Sequence, residues 1–285
     1  MKVVVIGGTG LIGSKVVAEV EGRGHEAVAA SPTTGVDTLT GAGLAEVLEG
    51  ASVVVDVTNS PSFADDAVLD FFRRSTANQL EAERAAGVAH HVALSVVGTD
   101  RLQEAGYFRA KQAQEDMIRE SGVPFSIVRA TQFFEFAQGL ADSATQGGTV
   151  SVAPIKIQPI FSGDVAAAVA RTAVGAPVGG IVEVAGPDTF ELEDFIRQAL
   201  TAQGDPRTVV TDPQGLYWGT ALKDSDLLPG PDASIGATSL AEWTARPGRA
   251  GAARRRGPGR ARPRGARRRA GPPPGATDLG GGRGR

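Results

Sequence analysis

Two groupings in this chain have residue types and spacings suited to chemistry. Tyr107 stands four positions before Lys111 in YFRAK, so on a helix the phenol and the ammonium share one face. Such a pair is either an acid–base device or two neighbours on the outside of a helix, and five letters do not separate the two. The second grouping is Gly8-x-Gly10-x-x-Gly13, in GGTGLIG near the start of the chain. A glycine at each position permits a tight turn, a close backbone approach to a pyrophosphate, and close packing of the following helix. Gly7 adds an overlapping Gly7-x-x-Gly10-x-x-Gly13 spacing.

Both groupings depend on the elements that hold them. KVVVI (2–6) is a short apolar run of the kind buried on both faces of a parallel sheet. The glycine loop follows it directly, and SKVVAEVEGRG reads as a helix with a Gly-rich stop. EAVAAS is a second strand, 42–49 a helix, ASVVVDVTNS (51–60) a strand and 64–86 a long helix. HHVALSVVG is a strand, 108–121 a helix and PFSIVRA a further strand. This alternation predicts βαβ units and a doubly wound parallel sheet.

The glycine motif therefore sits between a strand and a helix, the context that gives it meaning. The helix N-terminus offers unpaired N–H groups and a positive dipole end to phosphates. Gly7, Gly8, Thr9, Gly10, Leu11, Ile12 and Gly13 are the expected dinucleotide cradle. At the end of the second strand an acid would bond the ribose 2′-OH and repel a 2′-phosphate. Ser31 stands there instead, followed by Pro32, Thr33 and Thr34, which favours NADP(H) over NAD(H). Arg23 and Lys15 are the nearest cations to pair with such a phosphate.

After about residue 145 the alternation loosens. GGTVSVAPIKIQPIF reads as extended chain broken by Pro154 and Pro159, followed by helix DVAAAVARTAV, strand GIVEVAG and helix LEDFIRQALTA. The expected organisation is a Rossmann-like α/β domain over 1–145, then a segment over 146–243 that completes the sheet and forms a small substrate lobe above its C-terminal edge.

At YFRAK the chain resembles the short-chain dehydrogenase/reductase superfamily, in which a Tyr-x-x-x-Lys helix lies beside the nicotinamide and a serine follows the fifth strand. GGTGLIG, LSVVGTD, YFRAKQAQEDMIRESGVPFSIVRATQFFEF, SGDVAAAVA and VEVAGPDTFELEDF narrow the resemblance to its atypical, NmrA-like branch, over about residues 1–243. The resemblance implies catalytic roles for Tyr107 as proton donor, Lys111 as its assistant and ribose ligand, and Ser95 as a hydrogen-bond partner of the substrate oxygen. A neighbouring lysine and a cationic cofactor would lower the phenol pKa. It also implies that Thr131, Gln132 and Phe133, in RATQFF, line the nicotinamide pocket, with Phe133, Phe134 and Phe136 as an apolar substrate wall or as ordinary core. Thr58, Asn59 and Ser60 fall on the adenosine or ribose side, and Asp37 near the adenine. The branch includes NADPH-dependent quinone and carbonyl reductases, and members that bind the dinucleotide without turning it over. The expected activity is hydride transfer to a small carbonyl or quinone; the alternative is a dinucleotide sensor acting through a protein partner.

Composition bounds the rest. The chain has 285 residues, 41% hydrophobic, and no cysteine, which excludes disulfides, thiolate chemistry and Cys-based zinc sites. Three histidines (His25, His90 and His91) without clustered ligands make no metal site, and no Gly-x-Ser-x-Gly nucleophile elbow occurs. Asp164 reads as a helix-start residue. No run reaches the ~20 apolar residues of a membrane span, and no signal peptide is recognisable, so a cytoplasmic location is expected. The net charge of −3 averages two unlike parts. From Thr244 onward there are 13 Arg, no Lys and one acid, Asp278, for +12; the preceding 243 residues carry −15. An acidic body gives little reason to expect nucleic acid as partner. In the final segment 38 of 42 residues are Gly, Ala, Arg or Pro, too few apolar side chains to fold. It reads as inert disorder, as a basic arm, or as a GC-rich gene translated out of frame. The oligomeric state is not legible.

Overall fold

The computed structural model describes residues 1–217 and 220–246; the rest, including the Arg-rich segment from residue 247, lies outside the described residues. Along the chain run β1 (Lys2–Ile6), α1 (Gly13–Gly22), β2 (Glu26–Ala30), α2 (Leu44–Leu48), β3 (Val53–Asp56), α3 (Asp65–Ala86), β4 (His90–Val96), α4 (Gly106–Glu120) and β5 (Phe125–Ala130). Then follow α5 (Ala137–Ser143), β6 (Thr145–Gln146), β7 (Thr149–Val152), β8 (Lys156–Ile157), α6 (Ser162–Val174), β9 (Gly180–Ala185), β10 (Phe190–Glu191), α7 (Leu192–Ala202), β11 (Thr208–Thr211), β12 (Ser234–Ile235) and α8 (Leu240–Thr244).

Seven strands form one sheet in the order β12-β9-β5-β4-β3-β1-β2, every neighbouring pair parallel. Alternate side chains of each strand feed opposite layers. Val3 and Val5 of β1 join Val16 and Val20 of α1 and the alanines of α6, whereas Val4 and Ile6 join Leu44 and Leu48 of α2. Helices α3 and α4 pack together on this second face. The fold is thus a Rossmann-like, doubly wound α/β sheet. The chain leaves β1 toward β2 on one side and continues from β3 on the other, so the strand order reverses beside β1. In such sheets ligands lie in the crevice beyond the strand C-termini at that reversal.

Strands β9 and β12, from the later part of the chain, extend the sheet beyond β5. The remaining elements after β5 gather around a separate core of Phe134, Leu140, Ile155, Phe195, Ile196, Leu200 and Trp243. A capping box formed by Ser239 and Glu242 opens α8.

Two boundaries differ from expectation for identifiable reasons. The strand predicted over 51–60 stops at Asp56, because the Asp56 carboxylate accepts from the Thr58 N–H at 2.9 Å and its hydroxyl at 2.7 Å and turns the chain. Helix α4 starts at Gly106 rather than residue 108, which puts Tyr107 in its first turn.

Candidate functional site

The glycine loop separates two kinds of glycine. Gly8 and Gly13 are required by the protein's own packing: a Cβ on Gly8 would fall 2.6 Å from the Ala29 Cα, and one on Gly13 would collide with the Gly7 carbonyl. Gly10 is different. A Cβ there would meet only the Gly7 oxygen, at 3.2 Å. What a side chain at residue 10 would obstruct is therefore mostly outside the chain, as expected where a backbone must approach a pyrophosphate. The N–H groups of Thr9, Leu11 and Ile12 make no hydrogen bond among the described residues. They lie just ahead of α1, whose dipole favours an anion there.

A second fit lies at the end of β5. Thr131 and Gln132 are buried, yet the Thr131 hydroxyl and both polar atoms of the Gln132 carboxamide have no partner among the described residues. Buried polar groups are normally paired, so these three atoms suit a ligand carrying both donors and acceptors. Phe133 is half-buried and stacks on exposed Phe136 at 5.1 Å. Phe134 leaves that group: it is buried in the lobe core, 5.5 Å from the Trp243 ring. Of the three aromatics expected as a wall, two remain.

On the adenosine side, Ser31 is buried and its hydroxyl pairs with Thr33 Oγ1 at 2.8 Å, in a 3-10 turn spanning Pro32–Thr34. Asp37 spends one oxygen on the Leu39 N–H at 2.8 Å. Thr58 is tied to Asp56, Asn59 is exposed and accepts from the Ser60 N–H, and the Ser60 hydroxyl donates to the Ser62 carbonyl. Arg23 caps the far end of α1 and pairs with Glu19 at 3.1 Å, at the opposite edge of the sheet from the strand C-termini. It is no candidate for a 2′-phosphate. Lys15, in the first turn of α1, donates to the Leu11 carbonyl at 2.9 Å.

Tyr107 and Lys111 share a face of α4 and both lie against Phe72, but their polar surroundings differ. The Tyr107 ring is half-buried among Phe63, Phe72 and Phe108, with centroids 5.6, 6.2 and 5.8 Å away. Its hydroxyl makes no hydrogen bond among the described residues. Burial pushes the phenol up to about 12. This is opposite to the lowering expected from the lysine, and desolvation is the reason. Lys111 is 2% exposed and donates to the Leu94 carbonyl at 2.8 Å and to Gln114 Oε1, with Phe72 beneath it at 4.5 Å. Burial brings its ammonium down to about 8, against the attraction of Asp56 and Glu115.

Ser95 turns toward α4. Its hydroxyl donates to Glu115 Oε1 at 2.6 Å, and Glu115 is held in turn by Arg129 of β5 through bonds of 2.9 and 2.8 Å. Arg129 also reaches Asp100 at 3.0 Å. Sequence reasoning missed this network, although two signals were present: Glu115 follows Lys111 by four residues, on the same helix face, and Arg129 is a charge inside an apolar strand. Asp56 was missed as well; it is a buried carboxylate closing the run VVVD. Asp164 does more than start α6, accepting from the Thr238 N–H at 2.8 Å and its hydroxyl at 3.1 Å. His90 and His91 are buried on Ser126 and Glu83. Among the described residues no group of three or more His, Cys, Asp or Glu is placed to hold a metal ion, and no helix is long and apolar enough to cross a membrane.

The sequence model of NAD(P)H-binding proteins matches residues 7–174, from the glycine loop through α6. The chain belongs to the NAD(P)H-binding family. That membership agrees with the NmrA-like resemblance. Within this NAD(P)H-binding family context, the chain is 28% identical over 222 residues to the (4-alkanoyl-5-oxo-2,5-dihydrofuran-3-yl)methyl phosphate reductase of Streptomyces griseus subsp. griseus, covering 72% of this chain and 74% of that protein. The fold is similar to Escherichia coli NADPH-dependent quinone oxidoreductase QOR2 complexed with NADPH (TM-score 0.59, 21% identity, 75% of this chain and 78% of that one). It is also similar to the UDP-glucose 4-epimerase of Thermus thermophilus complexed with NAD (TM-score 0.60, 18% identity, 80% and 92%). At these identities the two structures speak for the fold alone.

Proposed function

We propose that this protein is an NADPH-dependent reductase of a small carbonyl or quinone. The observation that carries the reading is a strand edge open at Gly10 and at the Gln132 carboxamide, which has no partner among the described residues, together with Tyr107 and Lys111 on one face of α4. A bound nicotinamide would supply the hydride. Tyr107, whose phenol keeps its proton at neutral pH, donates that proton to the substrate oxygen as negative charge develops there. Lys111, whose ammonium burial brings down to about 8, stays charged at neutral pH and is suited both to hold a ribose hydroxyl and to restore the proton. Phe133 and Phe136 offer the substrate an apolar wall. The S. griseus relative, named as a reductase, supports the same direction of chemistry. Ser31 in place of an acid supports NADPH over NADH.

A second reading, a dinucleotide sensor without turnover, is favoured by one observation: the Ser95 hydroxyl is committed to Glu115. The deciding experiment is NADPH oxidation by the full chain against quinones, aldehydes and conjugated enones, with Tyr107→Phe alongside. The reductase reading expects wild-type turnover that falls at least about a hundredfold in the variant. NADPH binding with no turnover of any substrate class would replace it with the sensor, and equal turnover in both proteins would remove Tyr107 from the chemistry.

A further inference from the structure

From Lys111 a buried polar chain runs between the sheet and α4 to Asp56, the last residue of β3. Gln114 is its middle link. Its Nε2 donates to Asp56 Oδ2 at 2.9 Å, while its Oε1 accepts from Lys111 Nζ. All three side chains are 2% exposed or less. Asp56 also accepts from Gln79 Nε2 at 3.2 Å and twice from Thr58, so four donors converge on its two oxygens. A carboxylate accepts and an ammonium only donates, and a carboxamide between them satisfies both in one orientation alone.

We propose that Asp56 and Gln114 are positioning residues for Lys111: Asp56 fixes the Gln114 carboxamide with its oxygen toward the ammonium, and the pair holds Lys111 charged and aimed at the C-terminal end of β4. The inference deepens the proposed site and rests on that reading for the use Lys111 is put to. Nothing in the glycine motif or in Tyr-x-x-x-Lys assigns Asp56 or Gln114 a part.

The charged and titratable groups around Lys111 are few. Its own helix supplies Tyr107 and Glu115, the latter engaged by Ser95 and Arg129. Strand β3 supplies Asp56. Helix α3 supplies the Phe72 face, Gln79 and Glu83, and β4 supplies the Leu94 carbonyl and His91, which is paired with Glu83. Burial lowers the Lys111 pKa, and the charges of Asp56, then Glu115, oppose it. Glu115 is held by an arginine of its own, which leaves Asp56 as the carboxylate linked to Lys111 through a hydrogen-bonded bridge.

Replacing Asp56 by Asn puts a donor at one of two positions that both accept, facing either Thr58 or the pair Gln79 and Gln114. In either orientation Lys111 loses the negative charge behind its bridge, and in the second the Gln114 carboxamide must also swing or lose its bond. The chain has only five lysines, so side-chain carbon-13 NMR of labelled lysine resolves them, with Lys111→Arg identifying the signal. Titration of the full chain is expected to show the Lys111 midpoint falling by about one pH unit or more in Asp56→Asn. A smaller fall is expected in Gln114→Met, which removes the bridge and leaves the charge. If Asp56→Asn does not fold, Gln114→Met decides alone. An unchanged Lys111 midpoint in the folded variants overturns the proposal. The readout needs no substrate, so the two ideas separate. A shifted midpoint in a protein that never turns over upholds the positioning role and defeats the reductase. Turnover in the wild type with an unmoved midpoint does the reverse.

Discussion

Arg129 meets Glu115 in a two-bond fork beneath α4, with side chains 6% and 1% exposed. The fork joins β5 to the same helix that carries Tyr107 and Lys111, so it fixes how α4 stands against the strand ends. Removing Arg129 leaves the buried Glu115 with the Ser95 hydroxyl and the more exposed Arg119, at 3.3 Å, as its remaining partners. Arg129→Met is expected to destabilise the protein by up to about 3–5 kcal/mol. Arg129→Met combined with Glu115→Leu should recover much of that loss, because both charges are then gone. Urea unfolding of the single and double variants measures the difference, and a double variant no more stable than the single would show that the pair contributes more than mutual neutralisation.

The two classes of glycine in the nucleotide loop give opposite expectations for the same substitution. Gly13→Ala forces a Cβ into the Gly7 carbonyl and should lower stability by about 1–3 kcal/mol, since backbone on both sides must move. Gly10→Ala meets only one protein atom and should leave thermal stability nearly unchanged while raising the NADPH Kd roughly tenfold or more. Calorimetry for binding and thermal unfolding for stability separate the two effects. Comparable losses of stability in both variants would mean that Gly10 serves packing rather than a ligand.

Much of the sheet was legible because parallel strands buried on both faces are continuous apolar runs, and KVVVI and SIV admit few other readings. Helix α7 was legible to the residue: Leu192, Phe195, Ile196, Ala199 and Leu200 are buried at helical spacing. What stayed hidden depends on partners distant in sequence. Strand alternation puts Ser95 and Arg129 on one face, but only the docking of α4 reveals that Glu115 joins them. The difference between Phe134 and its neighbours is set by a short 3-10 turn over Phe134–Phe136, which no periodicity predicts. The end of β3 was overread because Asp56 captures Thr58, a local hydrogen bond that outcompetes the ladder.

Adjacent histidines in β4 point to opposite layers and titrate in opposite senses. Burial, with the neighbouring His91, lowers His90 from 6.5 to about 4. Its neutral form is favoured in the folded state, so its contribution is present above pH 6.5 and lost as pH falls toward 4, up to about 3 kcal/mol. For His91 burial works downward, but the charge and hydrogen bond of Glu83 outweigh it and raise the pKa above 6.5. That contribution is complete below 6.5 and lost as pH rises through the folded value. Each histidine therefore shapes one flank of the stability profile. His90→Asn should flatten the acid flank and His91→Gln the alkaline flank, read from thermal unfolding between about pH 4 and pH 8. Identical profiles in the wild type and His90→Asn would show that His90 is not what the acid limb reports.

The proposed preference for NADPH over NADH rests on Ser31, at the end of β2. Its hydroxyl is held by Thr33 inside the Pro32–Thr34 turn, so the turn presents neutral hydroxyls where an acid would repel a 2′-phosphate. Ser31→Asp introduces that repulsion with a side chain of similar reach. The NADPH Kd should rise about tenfold to a hundredfold, while NADH binding holds or tightens. Because Ser31 is buried, part of any loss can come from a disturbed turn. Ser31→Asn supplies the control, having the same shape without the charge. Discrimination requires NADPH affinity to fall much further in the aspartate variant than in the asparagine variant, with NADH affinity alike in both. Equal losses for the two dinucleotides across both variants would assign Ser31 to the architecture of the turn and place the preference elsewhere.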